Sequence, residues 1–303
     1  MSKENNPDYQ VLVPVCKSGE PWFEFDADIG GKTSLPVLSP YRAAQPAKDM
    51  PAHERASGCD SILAVHEDAI VVGAPAGTSD AFAMLVVFSV LFFVAAAGMM
   101  YLSVDAFLAH VNAEVGFNLP ISIIASLVSL FLLNFSFFCF RLAFLTPRDQ
   151  PVVFNRRTGE VHFFTIIPVR FWKFWSLAGV GAVKTRRWED AYVRSYHVNE
   201  LTGEAMRSSY SLALLWAAPA TRRLCTDVVN IGYKGWWEDE LLWRLYEHIR
   251  RYMEEGGAPL PEGERLRTSG HGKMPEFPQH VILAAGGHAL SEAEIIQRFN
   301  SQR

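Results

Sequence analysis

The chain is poor in cysteine and lacks a strong charge imbalance. It carries 4 Cys in 303 residues, and 28 Lys+Arg against 32 Asp+Glu leave a formal charge of −4. Four cysteines cannot make a disulfide scaffold of this size. A near-neutral balance removes any whole-protein electrostatic footprint for nucleic acid, so no nucleic-acid partner is expected. With 50% hydrophobic and 13% aromatic residues, the chain is not disordered. The most informative absence is local. Residues 81–103 and 119–140 contain no Asp, Glu, Lys or Arg.

About 20 helical residues cross the ~30 Å hydrocarbon core of a bilayer. Both runs are long enough, so they read as transmembrane helices over 81–103 and 119–145. The first lacks a basic leader and is not read as a signal peptide. The short loop 104–118 holds Asp105 and Glu114 but no Lys or Arg. Arg141, Arg148, Arg156, Arg157, Arg170 and Lys173 follow the second run. The excess of positive charge inside therefore predicts two passes with both termini cytoplasmic. Small residues recur every seventh position: Ser89, Ala96 and Ser103 in the first run, and Ser122, Ser129 and Ser136 in the second. Small side chains let helix backbones approach closely in lipid, so this stripe predicts the packing face of a helical hairpin. Asn134 is expected to hydrogen-bond between the helices.

Outside these runs the chain is polar enough for water. Residues 1–60 read as a polar, proline-punctuated region, with Pro36, Pro40, Pro46 and Pro51 interrupting any periodicity. Residues 61–80 read as a strand pair leading into the membrane. After the second run, Val152, Val153 and Phe154 precede Asn155 to Gly159, and Val161 to Phe164 follow, which is a hairpin pattern. Further strands are expected over 180–183, 192–198, 209–216 and 224–229, with loops such as 199–203 between them. Trp236, Leu241, Leu242, Leu245, Ile249 and Tyr252 then recur at helical spacing. The fold class is therefore an α+β membrane protein. It has a two-helix transmembrane hairpin and an antiparallel cytoplasmic β domain over 148–255, closed by an amphipathic helix in a pleckstrin-homology-like arrangement. If the strand pair at 61–72 joins that sheet, the hairpin is an insertion into one domain. Residues 256–303 read as a flexible tail with a short terminal helix, where Ser291 and Glu294 form a capping box.

Signatures of catalysis are absent. Gly31-Lys32-Thr33 lacks the first glycine of a P-loop, with Asp26 in its place. His53, Cys59 and His66 have no zinc spacing. No Gly-x-Ser-x-Gly or His-Glu-x-x-His occurs. No catalytic residue, cofactor or metal is expected, and the chain is read as a non-enzyme. The basic and aromatic residues after the second run carry more content. Arg148, Arg156, Arg157, Arg170, Trp172 and Lys173 are candidate lipid or partner contacts, because cations near an anionic leaflet each contribute roughly 1 kcal/mol. Phe171, Trp172, Phe174 and Trp175 around Lys173 suit the membrane interface, or equally a domain core.

Two apolar runs, then Pro151 to Phe164 (PVVFNRRTGEVHFF), then Trp188-Glu189-Asp190, stand in that order. This resembles an uncharacterised family of bacterial two-span inner-membrane proteins associated with type VI secretion effector loci. The resemblance spans roughly residues 60–255 and is most specific at Phe154-Asn155-Arg156 and Trp188-Glu189-Asp190. It implies a protein-binding role beside a secreted toxin, as immunity or accessory protein, with the toxin or a secretion component as partner besides the bilayer. An inner-leaflet lipid-binding or scaffold role is the alternative. The sequence is silent on oligomeric state.

Overall fold

A computed structural model describes residues 11–16, 23–26, 40–73, 79–112, 118–145, 149–167, 171, 179–202, 205–219, 224–232, 239–268 and 274–300. It is an α+β chain dividing into two units. One holds residues up to Pro75, Asp149–Thr165 and Ala182–Arg303; the other holds Ala76–Arg148 and Ile166–Gly181.

The larger unit is built on two five-stranded sheets. The first runs in the order β3-β4-β5-β6-β7, from β3 (Ile62–Val65), β4 (Ala69–Val72), β5 (Val152–Asn155), β6 (Glu160–Ile167) and β7 (Gly179–Arg187). The second has the order β1-β10-β9-β8-β2, from β1 (Glu24–Phe25), β2 (Pro40–Ala43), β8 (Tyr192–Thr202), β9 (Ala205–Ala217) and β10 (Leu224–Ile231). β4 pairs antiparallel with β5, Val72 opposite Val152 and Ala69 opposite Asn155. The helical pair is thus inserted between neighbouring strands of one sheet. One pairing departs from the antiparallel pattern: β1 runs parallel to β10.

Strand alternation assigns the faces. Ile62, Val65, Ile70, Val72, Phe154, Val161 and Phe163 of the first sheet meet Val193, Leu212, Leu214, Trp216, Val229 and Ile231 of the second in one core. Helix α3 (Asp239–Glu254) adds Leu242, Trp243, Leu245, Tyr246, Ile249 and Tyr252. The outer faces are covered as well. Leu63, Ala69, Val71 and Val153 lie under Val281 and Ala285 of the C-terminal region, and Tyr196, Ala213, Leu215 and Cys225 lie under Phe23 and Phe25. Burial on both faces explains why β4 reads as an unbroken apolar run.

Several boundaries differ from the sequence reading. β8 and β9 continue through residues 199–202, pairing Asn199 with Ser208 and Glu200 with Arg207. Polar residues there carry the ladder beyond the apolar alternation. Residues 256–268 and α4 (Gln279–Ala284) are not a loose tail. The Arg267 N–H donates to the Ile62 carbonyl at 2.7 Å, and the Leu290 N–H to the Val65 carbonyl at 2.7 Å. Ile295 of α5 (Glu292–Asn300) reaches the main core, and its capping box forms, with the Glu294 carboxylate 2.7 Å from both the N and Oγ of Ser291. Residues 40–60 are likewise part of the domain, through β2 and the contacts to α3 given below.

The smaller unit contains α1 (Ser79–Val111) and α2 (Asn118–Phe144). Both are long and apolar enough to cross a membrane. α1 outlasts the charge-free run by eight residues, into the segment read as loop. Val104, Phe107, Leu108 and Val111 keep helical spacing there, so Asp105 does not end it.

Gly232 follows β10 with φ +77°, and a Cβ there would stand 2.6 Å from Leu245 Cδ2 in the filled core. Gly256 follows α3 with φ +67° and open space around it. Gly256→Ala should cost about 1 kcal/mol, from backbone strain alone, whereas Gly232→Ala should cost about 2–3 kcal/mol by adding overpacking. Thermal unfolding of the full chain in detergent reads the difference, and equal shifts would contradict it.

Candidate functional site

The two segments that carry the family resemblance meet in space. The Phe154 ring stands edge-on to Trp188 at 5.8 Å, and Trp188 lies 6.3 Å from Tyr246 of α3. The indole N–H of Trp188 donates to Glu254 at the end of α3 at 2.7 Å. The Trp188 backbone N–H donates to the Gly159 carbonyl at 2.8 Å. Lys48 sits 5.2 Å over the indole and donates to the Glu189 carbonyl at 2.9 Å. Asn155 organises the β5–β6 turn: its Oδ1 accepts from the Arg157 and Thr158 N–H groups, and its Nδ2 donates to the Ala284 carbonyl. Trp188 therefore joins the β5–β6 turn, the N-terminal segment and the closing helix.

A charged network runs along α3 under residues 42–55. Arg42 Nε donates to Asp239 Oδ2 at 2.7 Å, and the Trp243 indole N–H donates to Asp239 Oδ1 at 3.1 Å. Burial pushes the Asp239 carboxyl up, opposed by Arg42. Glu247 accepts from Arg250, from Arg251 and from the Ala52 N–H. Burial alone would raise its pKa, yet these donors hold it below the usual carboxylate range. Arg250 also reaches Glu255 at 2.8 Å. Glu247 with Arg250 and Arg251 has the helical i, i+3 and i, i+4 spacing, a signal present in the sequence. The Arg42–Asp239 pair and the Lys48–Glu189 bond had none, because those partners lie far apart along the chain.

A second cluster closes around Gly73, which with Asp149 flanks the inserted helices in sequence. Asp149 pairs with Arg267, and a Cβ on Gly73 would collide with both side chains. Composition gave no hint of this clasp.

Among the described residues, the basic side chains singled out in the sequence contact groups of their own domain. Arg156 lies 5.1 Å over the Tyr252 ring and reaches the Glu67 carbonyl at 3.3 Å. Arg157 contacts Asp68 at 3.2 Å and the Ala284 carbonyl at 3.1 Å. Lys184 and Arg186 both bind Asp227, and Arg187 binds Glu189. Arg148, Arg170, Trp172 and Lys173 lie outside the described residues, as do residues 31–33.

The small-residue stripe forms the seam of the helical pair. Ser136 Oγ donates to the Ser89 carbonyl at 2.7 Å, and Ser89 Oγ returns to the Ser136 carbonyl at 3.2 Å. Ser129 Oγ donates to the Ala96 carbonyl at 2.8 Å. Ser122 Oγ donates to the Ser103 carbonyl at 2.9 Å, and Ser103 Oγ lies 2.8 Å from the Ser122 carbonyl and 2.6 Å from Ser126 Oγ. Asn134 corrects the reading made of it: its Oδ1 has no hydrogen-bond partner. It lies two residues from Ser136, about 200° round the helix at 3.6 residues per turn.

Burial pushes the Cys59 thiol up and the Cys225 thiol up to about 12, so neither is a thiolate at neutral pH. His53, Cys59 and His66 go to separate partners: Arg55, the Leu241 carbonyl and the Gly287 carbonyl. Among the described residues no three metal-ligating side chains gather.

Two predictions follow from these contacts. Burial pushes His248 down to about 4, partly offset by its 3.2 Å contact to the Pro259 carbonyl. Burial lowers His53 and His162 as well. An unfolded histidine takes its proton near 6.5 while folded His248 resists, so the unfolded state binds more protons in between. Stability should therefore fall as pH drops from about 6.5 toward 4, by up to about 1.4 kcal/mol per unit for His248. The thermal midpoint against pH reads this, and His248→Gln should flatten it; an unchanged slope in the variant would contradict the assignment. In the seam, Ala96→Leu should lower the thermal midpoint in nanodiscs by separating the backbones, whereas Val90→Leu, at a 60% exposed position, should not.

No curated protein and no solved structure matches the chain. A family of unknown function, DUF6708, matches residues 129–282, from the second half of α2 through Trp188 and α3 to α4, and the chain belongs to that family.

Proposed function

We propose that this is a two-pass membrane protein whose β domain faces the cytoplasm and binds another protein. The membrane part rests on exposure. In 18-residue windows of the two helices only 6% and 22% of residues are buried. A core helix of a water-soluble protein buries its apolar face, whereas Val87, Val90, Leu127 and Leu130 are each more than half exposed. Hydrocarbon is the solvent that suits such a surface. The Lys and Arg residues after α2, against none in residues 104–118, favour cytoplasmic termini. The resemblance in the sequence points to a bacterial inner membrane.

The order of elements supports a pleckstrin-homology-like reading of the β domain: a β3–β7 meander, a β8–β10 meander, then α3 packed into the core. Binding is favoured over catalysis because the buried charges bind one another and the thiols are held neutral. The specific form we propose is an immunity or accessory protein for a co-encoded type VI secretion toxin. Only residues 112–117 separate α1 from α2, too little surface to grip a periplasmic toxin. The toxin would act at the membrane or in the cytoplasm, or be met before export.

Inner-leaflet headgroup binding is the second reading. It is less favoured because Arg156, Arg157, Lys184, Arg186 and Arg187 are engaged within the domain. Deleting the gene beside an active toxin gene should cause self-intoxication, and the full chain supplied in trans should restore growth. Normal growth of the deletion strain would overturn the immunity role. Enrichment of one anionic lipid on the full chain purified in mild detergent, with no protein alongside, would move the assignment to the second reading.

A further inference from the structure

Residues Ile166–Gly181, which connect β6 to β7, cluster with the helical pair rather than with the sheets. Phe171 shows how. Its ring lies 5.8 Å from Phe131, 5.9 Å from Phe135 and 5.5 Å from Phe138, all on α2. Phe135 in turn stands edge-on to Phe92 of α1 at 4.6 Å. One aromatic cluster thus joins three chain segments.

The level of that cluster along α2 is informative. Arg141 is the first charged residue after the apolar run, so it marks the headgroup level in a spanning helix. At 1.5 Å per residue, Phe138, Phe135 and Phe131 lie about 5, 9 and 15 Å before it along the axis. A ring touching all three sits near the level of Phe135, well inside a hydrocarbon layer about 30 Å thick. The sequence on either side of Phe171 fits that depth. Arg170 and Lys173 have stems long enough to reach headgroups, and Trp172 and Trp175 are residues of the interface.

We propose that Phe171 is buried in the acyl-chain region of the bilayer against α2, a point of insertion beside the two helices. The partner it fits is lipid hydrocarbon. The inference rests on the two-pass reading above, and Phe171 supplies the apolar anchor.

The test uses the unmodified full chain in nanodiscs of phosphatidylcholine carrying a diazirine on the acyl chain. After photolysis, mass spectrometry maps the lipid adducts. Residues 166–181 should carry adducts at a yield comparable to α2 and above that of β10, which serves as the reference outside the helical unit. Adducts on α1 and α2 with 166–181 no higher than β10 would overturn the inference and leave the two-pass reading standing. No adducts on α1 and α2 would overturn both. Phe171→Glu should reduce the yield in 166–181 while leaving α1 and α2 unchanged.

Discussion

The fold depends on α1 and α2 returning the chain to where it left. The seam pairs Ser89 with Ser136, Ala96 with Ser129 and Ser103 with Ser122, an antiparallel register in steps of seven. That register brings the open ends of the pair together, with Phe82 and Phe144 at 5.4 Å. β4 and β5, separated by the whole insertion, can therefore pair as neighbours. Closing a flexible loop of that length would cost about 4 kcal/mol of chain entropy. A preformed hairpin removes most of that cost. The serine seam and the β4–β5 ladder thus support each other: one closes the loop, and the other uses the closure to complete a sheet.

Once β4 and β5 are paired, Trp188 spreads the constraint. Phe154 on β5 packs against it, the Gly159 carbonyl holds its backbone, and Glu254 takes its indole N–H. Residues 42–55 then lie along α3 through Arg42, the Lys48 carbonyl and the Ala52 N–H. Removing one partner from such buried pairs is strongly destabilising, because it leaves an uncompensated charge behind. The two short segments most specific to the family resemblance therefore do the same structural job, which is to fasten the closing helix to the sheet that carries the insertion.

The parts legible in the sequence are those with a period. The seven-residue recurrence of serine and alanine located the seam. Apolar spacing located α3, and Asn155 with Gly159 located the β5–β6 turn. Asn134 was misread although the same helical arithmetic places it off the seam. The strap over α3 has no period. It turns at residues 46–47, and it is held by contacts from Arg42, the Lys48 carbonyl and the Ala52 N–H to residues some two hundred positions away. The C-terminal region failed for a related reason. Its Gly- and Pro-rich composition resembles a linker, but backbone bonds from Arg267 and Leu290 to β3 hold it to the domain. Point contacts of this kind leave no local pattern to read.

The distribution of charge bears on what the domain does. Glu247 takes donors from Arg250, Arg251 and Ala52, and Asp227 takes Lys184 and Arg186. Two arginines that composition would assign to a membrane surface, Arg156 and Arg157, lie at the end of β5 away from Val152, where the chain enters from α2. They bind the β3–β4 turn and α4 there. Attachment through apolar elements is insensitive to salt, whereas headgroup recognition by surface cations weakens as salt rises. On the two-pass reading proposed above, attachment through two helices and Phe171 would not depend on lipid charge.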